Sequence, residues 1–276
     1  MAPGFCYSEY NINSSDKSRG RLDLRAQGAY ITRFALSNKD GEMIPIFHEP
    51  IDLWAADLAA THVMCPVGPS KGPGGEHGFA RWADYEATTE VADTKHAQAI
   101  VPAKEVQIGI SAGVYTVYGD PEDSSELGMG VTITNPLRRP IKTSLGHQLY
   151  FALPHEDATG LRVGEHSHSL AEPAKLDEIM SGKPQFWPHY DGYAVIELPK
   201  GPRLEMRSRI YAGQNGDDYK EVPRGMLLWH RPGTESICLS PTLGYEDDGK
   251  GTIRNDLLHL AAEHFMTLET DIRLMS

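Results

Sequence analysis

Cysteine is scarce in this chain. Cys6, Cys65 and Cys238 are the only three in 276 residues, and they share no repeated spacing. An odd number so arranged is neither a disulfide framework nor a zinc motif, and it points to free thiols in a reducing cytoplasm. Positive charge is also short: 26 Lys and Arg stand against 38 Asp and Glu, a formal net charge of −12. Such a surface repels phosphate backbones and anionic headgroups, so the expected partners include no nucleic acid and no membrane. Long apolar runs are missing, since no stretch approaches the roughly 20 residues that span a bilayer. The opening Met1-Ala2-Pro3-Gly4-Phe5 has no basic region and no apolar run, so no secretory signal is read there. Helical patterning is nearly absent. Residues 51–62 (IDLWAADLAATH) fit one short helix with Asp52 as its cap, or irregular structure lining a site. Phosphate-binding glycine fingerprints and a nucleophile elbow are lacking as well. His166 and His168, near Glu165 and Asp157, have the bare spacing of two ligands with no third at a set distance. Asp217-Asp218 lacks the alternating oxygens of a calcium loop. No metal and no cofactor are expected.

What is present is alternation. Apolar residues make up 40% of the chain, enough for a substantial core without covalent staples. Leu22, Leu24 and Ala26 share one parity, as do Leu127, Met129, Val131 and Ile133. Leu204, Met206, Ser208 and Ile210 form another row, and His264, Met266, Leu268, Thr270, Ile272 and Leu274 a fourth. Period two with polar partners between is the mark of a half-buried strand. Asn38-Lys39-Asp40-Gly41, between two such segments, reads as a hairpin turn with Gly41 supplying positive φ. More than ten short segments separated by glycine and proline imply an all-β sandwich or barrel. No linker or repeat divides it, so one domain is expected over residues 1–276, with 1–19 as an N-terminal lead-in.

Three segments carry a family resemblance. Gly75-Glu76-His77-Gly78-Phe79-Ala80-Arg81-Trp82 resembles the His-Gly-Phe-Ala-Arg segment of the aldose 1-epimerase (galactose mutarotase-like) superfamily, nearest its hexose-phosphate epimerase and related bacterial branches. Val131-Thr132-Ile133-Thr134-Asn135, followed by Leu145-Gly146-His147-Gln148-Leu149-Tyr150-Phe151, is similar to that family's strand ending in Asn and its His-x-Tyr-Phe motif. Ser236-Ile237-Cys238-Leu239-Ser240-Pro241 looks like its Cys-x-Glu-Pro strand. Gly28-Ala29-Tyr30-Ile31-Thr32 adds weaker support. The resemblance implies a large antiparallel β-sandwich, the supersandwich, with a sugar site in an open cleft on one curved sheet, acting as a monomer or homodimer.

Exchange of sugar anomers needs one acid and one base on opposite sides of the anomeric centre, each with a pKa near working pH. The resemblance implies His147 as the general acid at the ring oxygen, with His77 as the second histidine at the anomeric end. Arg81, Trp82 and Tyr150 are the implied substrate-binding residues. Without the family, His147 is the better candidate for a core histidine; for Arg81 a surface ion pair is an equal alternative. One position departs from the pattern: the family's basic glutamate is here Ser240, and a serine hydroxyl is far too weak a base to replace it. Either a nearby carboxylate, Glu246 foremost, substitutes for it, or Ser240 positions a water, or the fold binds a carbohydrate or runs a different reaction without epimerase chemistry. The expected function is thus an aldose 1-epimerase-like isomerase in carbohydrate metabolism, with a carbohydrate-binding or divergent protein of the same fold as the alternative. Arg203, Arg207 and Arg209 share one strand face and either line the cleft or face water. Trp187 and Trp229 are further candidates for stacking on a sugar.

Overall fold

A strand buries one face only if its apolar residues keep to one parity, and three of the alternating rows in this sequence form strands, as do Leu22 and Leu24 of the fourth, whose Ala26 lies outside the described residues. The structure, a computed structural model, describes residues 8–14, 17–24, 28, 30–38, 40–49, 61–65, 80–83, 85–91, 94–101, 106–116, 125–152, 162–164, 179, 181–187, 190, 192–197, 203–214, 220–221, 225–230, 232–243, 246–247, 253–254 and 258–275. Strands β1 (Ser8–Ser14), β2 (Lys17–Leu24), β3 (Ile31–Ser37) and β4 (Met43–Pro45) pair in that order as a four-stranded antiparallel sheet. Then come β5 (His62–Met64), a 3-10 turn at Ala80–Trp82, β6 (Glu86–Val91), β7 (Thr94–Val101), β8 (Val106–Thr116), β9 (Ser125–Thr134), β10 (Ile141–Thr143) and β11 (Leu145–Ala152). The second half carries β12 (Arg162–Gly164), β13 (Gln185–Trp187), β14 (Tyr193–Glu197), β15 (Arg203–Gln214), β16 (Lys220–Glu221), β17 (Gly225–Trp229) and β18 (Ser236–Leu243). The last strands are β19 (Glu246–Asp247), β20 (Ile253–Arg254), β21 (Leu258–Leu260) and β22 (His264–Met275).

Two sheets build the sandwich. The larger has nine strands in the order β12-β14-β15-β22-β9-β8-β7-β6, with β16 added alongside β15. The smaller has five, in the order β13-β17-β18-β11-β5. Every pairing among the described residues is antiparallel, and the fold is all-β as its patterning demands. The rows at 127–133, 204–210 and 266–272 fall on β9, β15 and β22, which are immediate neighbours at the centre of the large sheet. Their buried residues point toward Leu145, Leu149, Phe151, Ile237 and Leu239 of the small sheet, and the apolar residues there make two separate clusters.

The hairpin at residues 38–41 is present. Asn38 Oδ1 accepts from the backbone N–H of Asp40 (3.0 Å) and Glu42 (2.9 Å), and Gly41 takes φ 81°. Paired strands begin at Ser8, inside the stretch read as a lead-in. Residues 51–60 lie outside the described residues, and His62 opens strand β5. Among the described residues, no helix is long and apolar enough to cross a membrane.

Candidate functional site

Directly paired residues of an antiparallel sheet share a face, so the register of the small sheet sorts its side chains without ambiguity. On the face away from the large sheet, Phe186 pairs with Leu227, Leu227 with Ser240, and His62 with Gln148. Gly146 pairs with Thr242 and Leu149 with Leu239, which sets Gln148 across from Ser240 between them. A second row on this face runs Trp229–Cys238–Tyr150. The candidate site is therefore a polar band, Ser240–Gln148–His62, beside an aromatic pair. Tyr150 and Trp229 meet edge to face, with centroids 6.2 Å apart. Cys238 Sγ lies 3.1 Å from Ser240 Oγ, and the side chains of Gln148 and Tyr150 also contact the thiol. Burial pushes the Cys238 thiol up to about 12, against the pull of these hydrogen bonds, so it stays protonated.

His147 occupies the other face. It shares parity with Leu145, Leu149 and Phe151, is fully buried, and points into the space between the sheets. There its Nδ1 lies 3.0 Å from Thr270 Oγ1 on β22. Thr270 Oγ1 is 3.2 Å from Ser208 Oγ on β15, to which the Tyr190 hydroxyl donates (3.1 Å). Nε2 of His147 is buried without a hydrogen-bond partner among the described residues. Desolvation alone drives this imidazole down to about 3. This neutral, enclosed ring thus lies on the core face, opposite to Gln148, Ser240 and Tyr150.

Arg81 lies off the polar band. Arg81 is buried, not on the surface, and donates from Nε to the Tyr30 hydroxyl (2.7 Å). Tyr30 in turn packs on the His62 ring at 5.0 Å between centroids, so these two rings link Arg81 to the polar band. Gly28 makes this possible. It takes φ 69°, its N–H donates to Ala83 O (2.7 Å), and a Cβ there would come within 2.2 Å of the Arg81 carbonyl oxygen. Trp82 closes the 3-10 turn, and Glu246 pairs with Arg254 on the small β19–β20 ladder. The side chains of Trp82, Trp187 and Glu246 are outside the described residues, as are His77, His166, His168 and the pair at 217–218. Trp229 is half-buried and donates from Nε1 to Gly182 O (3.1 Å). Arg203, Arg207 and Arg209 are exposed on the far face of the large sheet, where Arg203 pairs with Glu197, and Arg207 and Arg273 with the buried Glu205. They face away from the polar band. Among the described residues there is no cluster of three or more His, Cys, Asp or Glu side chains able to hold a metal.

No family model matches the chain, and no curated protein matches its sequence. Solved structures do match its shape. A galactose mutarotase related enzyme from Lactobacillus acidophilus superposes with a TM-score of 0.69 at 13% identity, covering 98% of each chain. A galactose mutarotase-like protein from Lactobacillus casei gives 0.64 at 13% identity, over 97% of this chain and all of the other. An aldose epimerase homologue from C. elegans gives 0.63 at 10% identity, over 99% and 100%. The chain has the galactose mutarotase-like fold. At such identities the likeness concerns architecture, and the site must be argued from residues.

Within the mutarotase-like fold, the strand arithmetic around Tyr150 becomes decisive. In a His-x-Tyr-Phe motif the histidine is two residues from the tyrosine and shares its face. Here His147 is three residues from Tyr150, an odd step that turns it to the core. Counted back from Tyr150-Phe151, the motif's histidine position is Gln148. On β18, Cys238 and Ser240 do keep the two-residue spacing of Cys-x-Glu, and both share the face of Tyr150 and Gln148. Sequence reasoning therefore missed Gln148, Cys238 and His62 as members of this face. Odd and even counting from Tyr150 is the signal that would have found the first.

Proposed function

We propose that this chain binds a neutral cyclic polyol, a sugar or a sugar-like ring, on the outer face of the five-stranded sheet and does not interconvert its anomers. One observation carries the reading: Gln148 and Ser240 sit across from each other at the two positions where the resembled motifs hold an acid and a base. A carboxamide does not titrate near neutral pH and a lone serine hydroxyl is a very weak base, so this pair can hydrogen-bond a ring but cannot pass protons to and from it. The Tyr150–Trp229 pair supports ring binding, because aromatic faces pack well on the apolar C–H faces of sugars. The fold supports the ligand class, its neighbours being named for galactose mutarotase and aldose epimerase. The buried free thiols Cys65 and Cys238 are consistent with a cytoplasmic setting.

A second reading keeps the isomerase activity, with His77 and Glu246 as its proton carriers. The observation that favours it is His62, an ionisable ring directly across from Gln148. Polarimetry on fresh α-D-glucose and α-D-galactose separates the two. The wild-type protein is expected to leave the rate of anomer exchange unchanged, and the double variant Gln148→His/Ser240→Glu to raise it by 10²-fold or more, roughly the worth of a positioned acid–base pair. Acceleration by the wild type that disappears in His77→Ala would establish the isomerase instead.

A further inference from the structure

Gln148 is almost fully buried, yet its Oε1 has no hydrogen-bond partner among the described residues. A carboxamide has a donor end and an acceptor end, and in this site the two meet different surroundings. The side chain contacts the Cys238 thiol, which burial keeps protonated and whose sulfur also meets the Ser240 hydroxyl at 3.1 Å. Sulfur is a weak acceptor and takes the amide N–H. The neighbours in register are Ser240 on one side and His62 on the other, and neither satisfies Oε1.

We propose that Gln148 is the specificity-determining residue of the polyol site: its Oε1 accepts a hydrogen bond from a free ligand hydroxyl, so the site takes a donor at this point and rejects acceptor-only groups such as a phosphate ester or a carboxylate. This rests on the ring-binding reading above. An acceptor-only group would set lone pair against lone pair in a buried place, where no water can intervene. A hydroxyl on the ligand instead satisfies an oxygen that has no partner among the described residues. Ser240 does not discriminate in this way, because its hydroxyl can either donate or accept. Selection for an unmodified hydroxyl therefore falls to Gln148.

The test is a double-mutant cycle on protein and ligand. Binding of D-glucose and D-galactose is measured by calorimetry on wild-type protein and on Gln148→Met, which keeps the side chain's length and removes both polar ends. The monodeoxy series of the sugar that binds is then run on both proteins. Gln148→Met is expected to weaken the parent sugar roughly 10- to 100-fold, and one monodeoxy sugar to lose a similar factor on wild type while binding the variant as well as its parent does. Melting temperature is expected to hold or rise in Gln148→Met, since an unsatisfied buried oxygen has gone; a purely structural role for Gln148 would move melting without creating the ligand-specific coupling. Gln148→Glu, which retains an acceptor oxygen, should weaken the parent sugar less than Gln148→Met does, and it serves as the measurement if the methionine variant does not fold. Sugar binding that Gln148→Met leaves intact, or coupling to no hydroxyl, overturns this assignment alone. Failure of the wild type to bind any free sugar overturns the ring-binding reading and this inference with it.

Discussion

His147 concentrates the cost of placing an ionisable ring between two sheets. Its imidazole is neutral in the fold because burial pushes its pKa down to about 3, whereas in the unfolded chain it titrates near 6.5. The folded state therefore binds fewer protons than the unfolded state between those two values, and stability must rise with pH across that window. The contribution is complete above about pH 6.5 and is lost as pH falls toward 3, at about 1.4 kcal/mol per unit. His48, lowered mainly by partial burial, acts in the same direction. Glu126 and Asp271, raised mainly by burial, act in the opposite one. Comparison with His147→Leu isolates the imidazole. The difference in unfolding free energy between pH 7 and pH 4.5, measured in urea, should be smaller in the variant by about 2–3 kcal/mol. An unchanged difference would mean that the ring is hydrated or charged inside the fold.

At the level of elements, Asn135 shows why a motif residue can be structural. It directly follows β9, and its buried Nδ2 donates to Arg139 O (2.9 Å), Leu260 O (3.2 Å) and Ala261 O (2.9 Å), while Oδ1 accepts from Leu137 N–H (3.1 Å). Its backbone bonds His264 and Glu263, the latter at φ 61°, so one side chain ties the end of β9 to the β21–β22 corner. Asn135→Ala should cost roughly 2–4 kcal/mol, because several buried carbonyls lose their donor at once; a denaturant midpoint within error of wild type would contradict this account. Much of the element map was legible in the sequence. The alternating rows gave β9, β15 and β22, and the residues around Gly41 gave a hairpin, because period two and turn chemistry are local properties. What the sequence did not disclose was which face is which. Parity orders residues along one strand, but the inward face depends on partners far away in sequence, such as Thr270 for His147. Motif matching placed His147 in the cleft, although its odd distance from Tyr150 already set the two on opposite faces. Ser240 was legible in both respects: its departure from the glutamate pattern was visible, and its spacing from Cys238 kept it on the outer face.

For the whole molecule, the polar line His147–Thr270–Ser208–Tyr190 separates the apolar interior into two clusters, one around Phe34, Phe151 and Ile272, the other around Ile133, Leu145 and Leu268. Neither cluster owns its strands. β9, β11, β15 and β22 each contribute residues to both, and the twelve paired positions of β15 and β22 run through the two without a break. Opening one therefore strips backbone pairing from the other, and the described sandwich should unfold as one unit. Calorimetric and van't Hoff enthalpies are expected to agree, and Ile272→Val and Ile133→Val, one in each cluster, should each lower a single shared transition, by about 0.5–1.5 kcal/mol. Two resolved transitions would divide the chain where its patterning does not.

The two buried thiols turn this architecture into a clock. Cys65 belongs to the second apolar cluster and Cys238 to the outer face of the small sheet, and both are driven up to about 12, so neither forms the thiolate that alkylating reagents attack while the fold is closed. Modification at each site, read peptide by peptide so that Cys6 is counted apart, becomes a stopwatch for how often that part of the protein opens. A ligand lodged beside Gln148 would slow the Cys238 hand first.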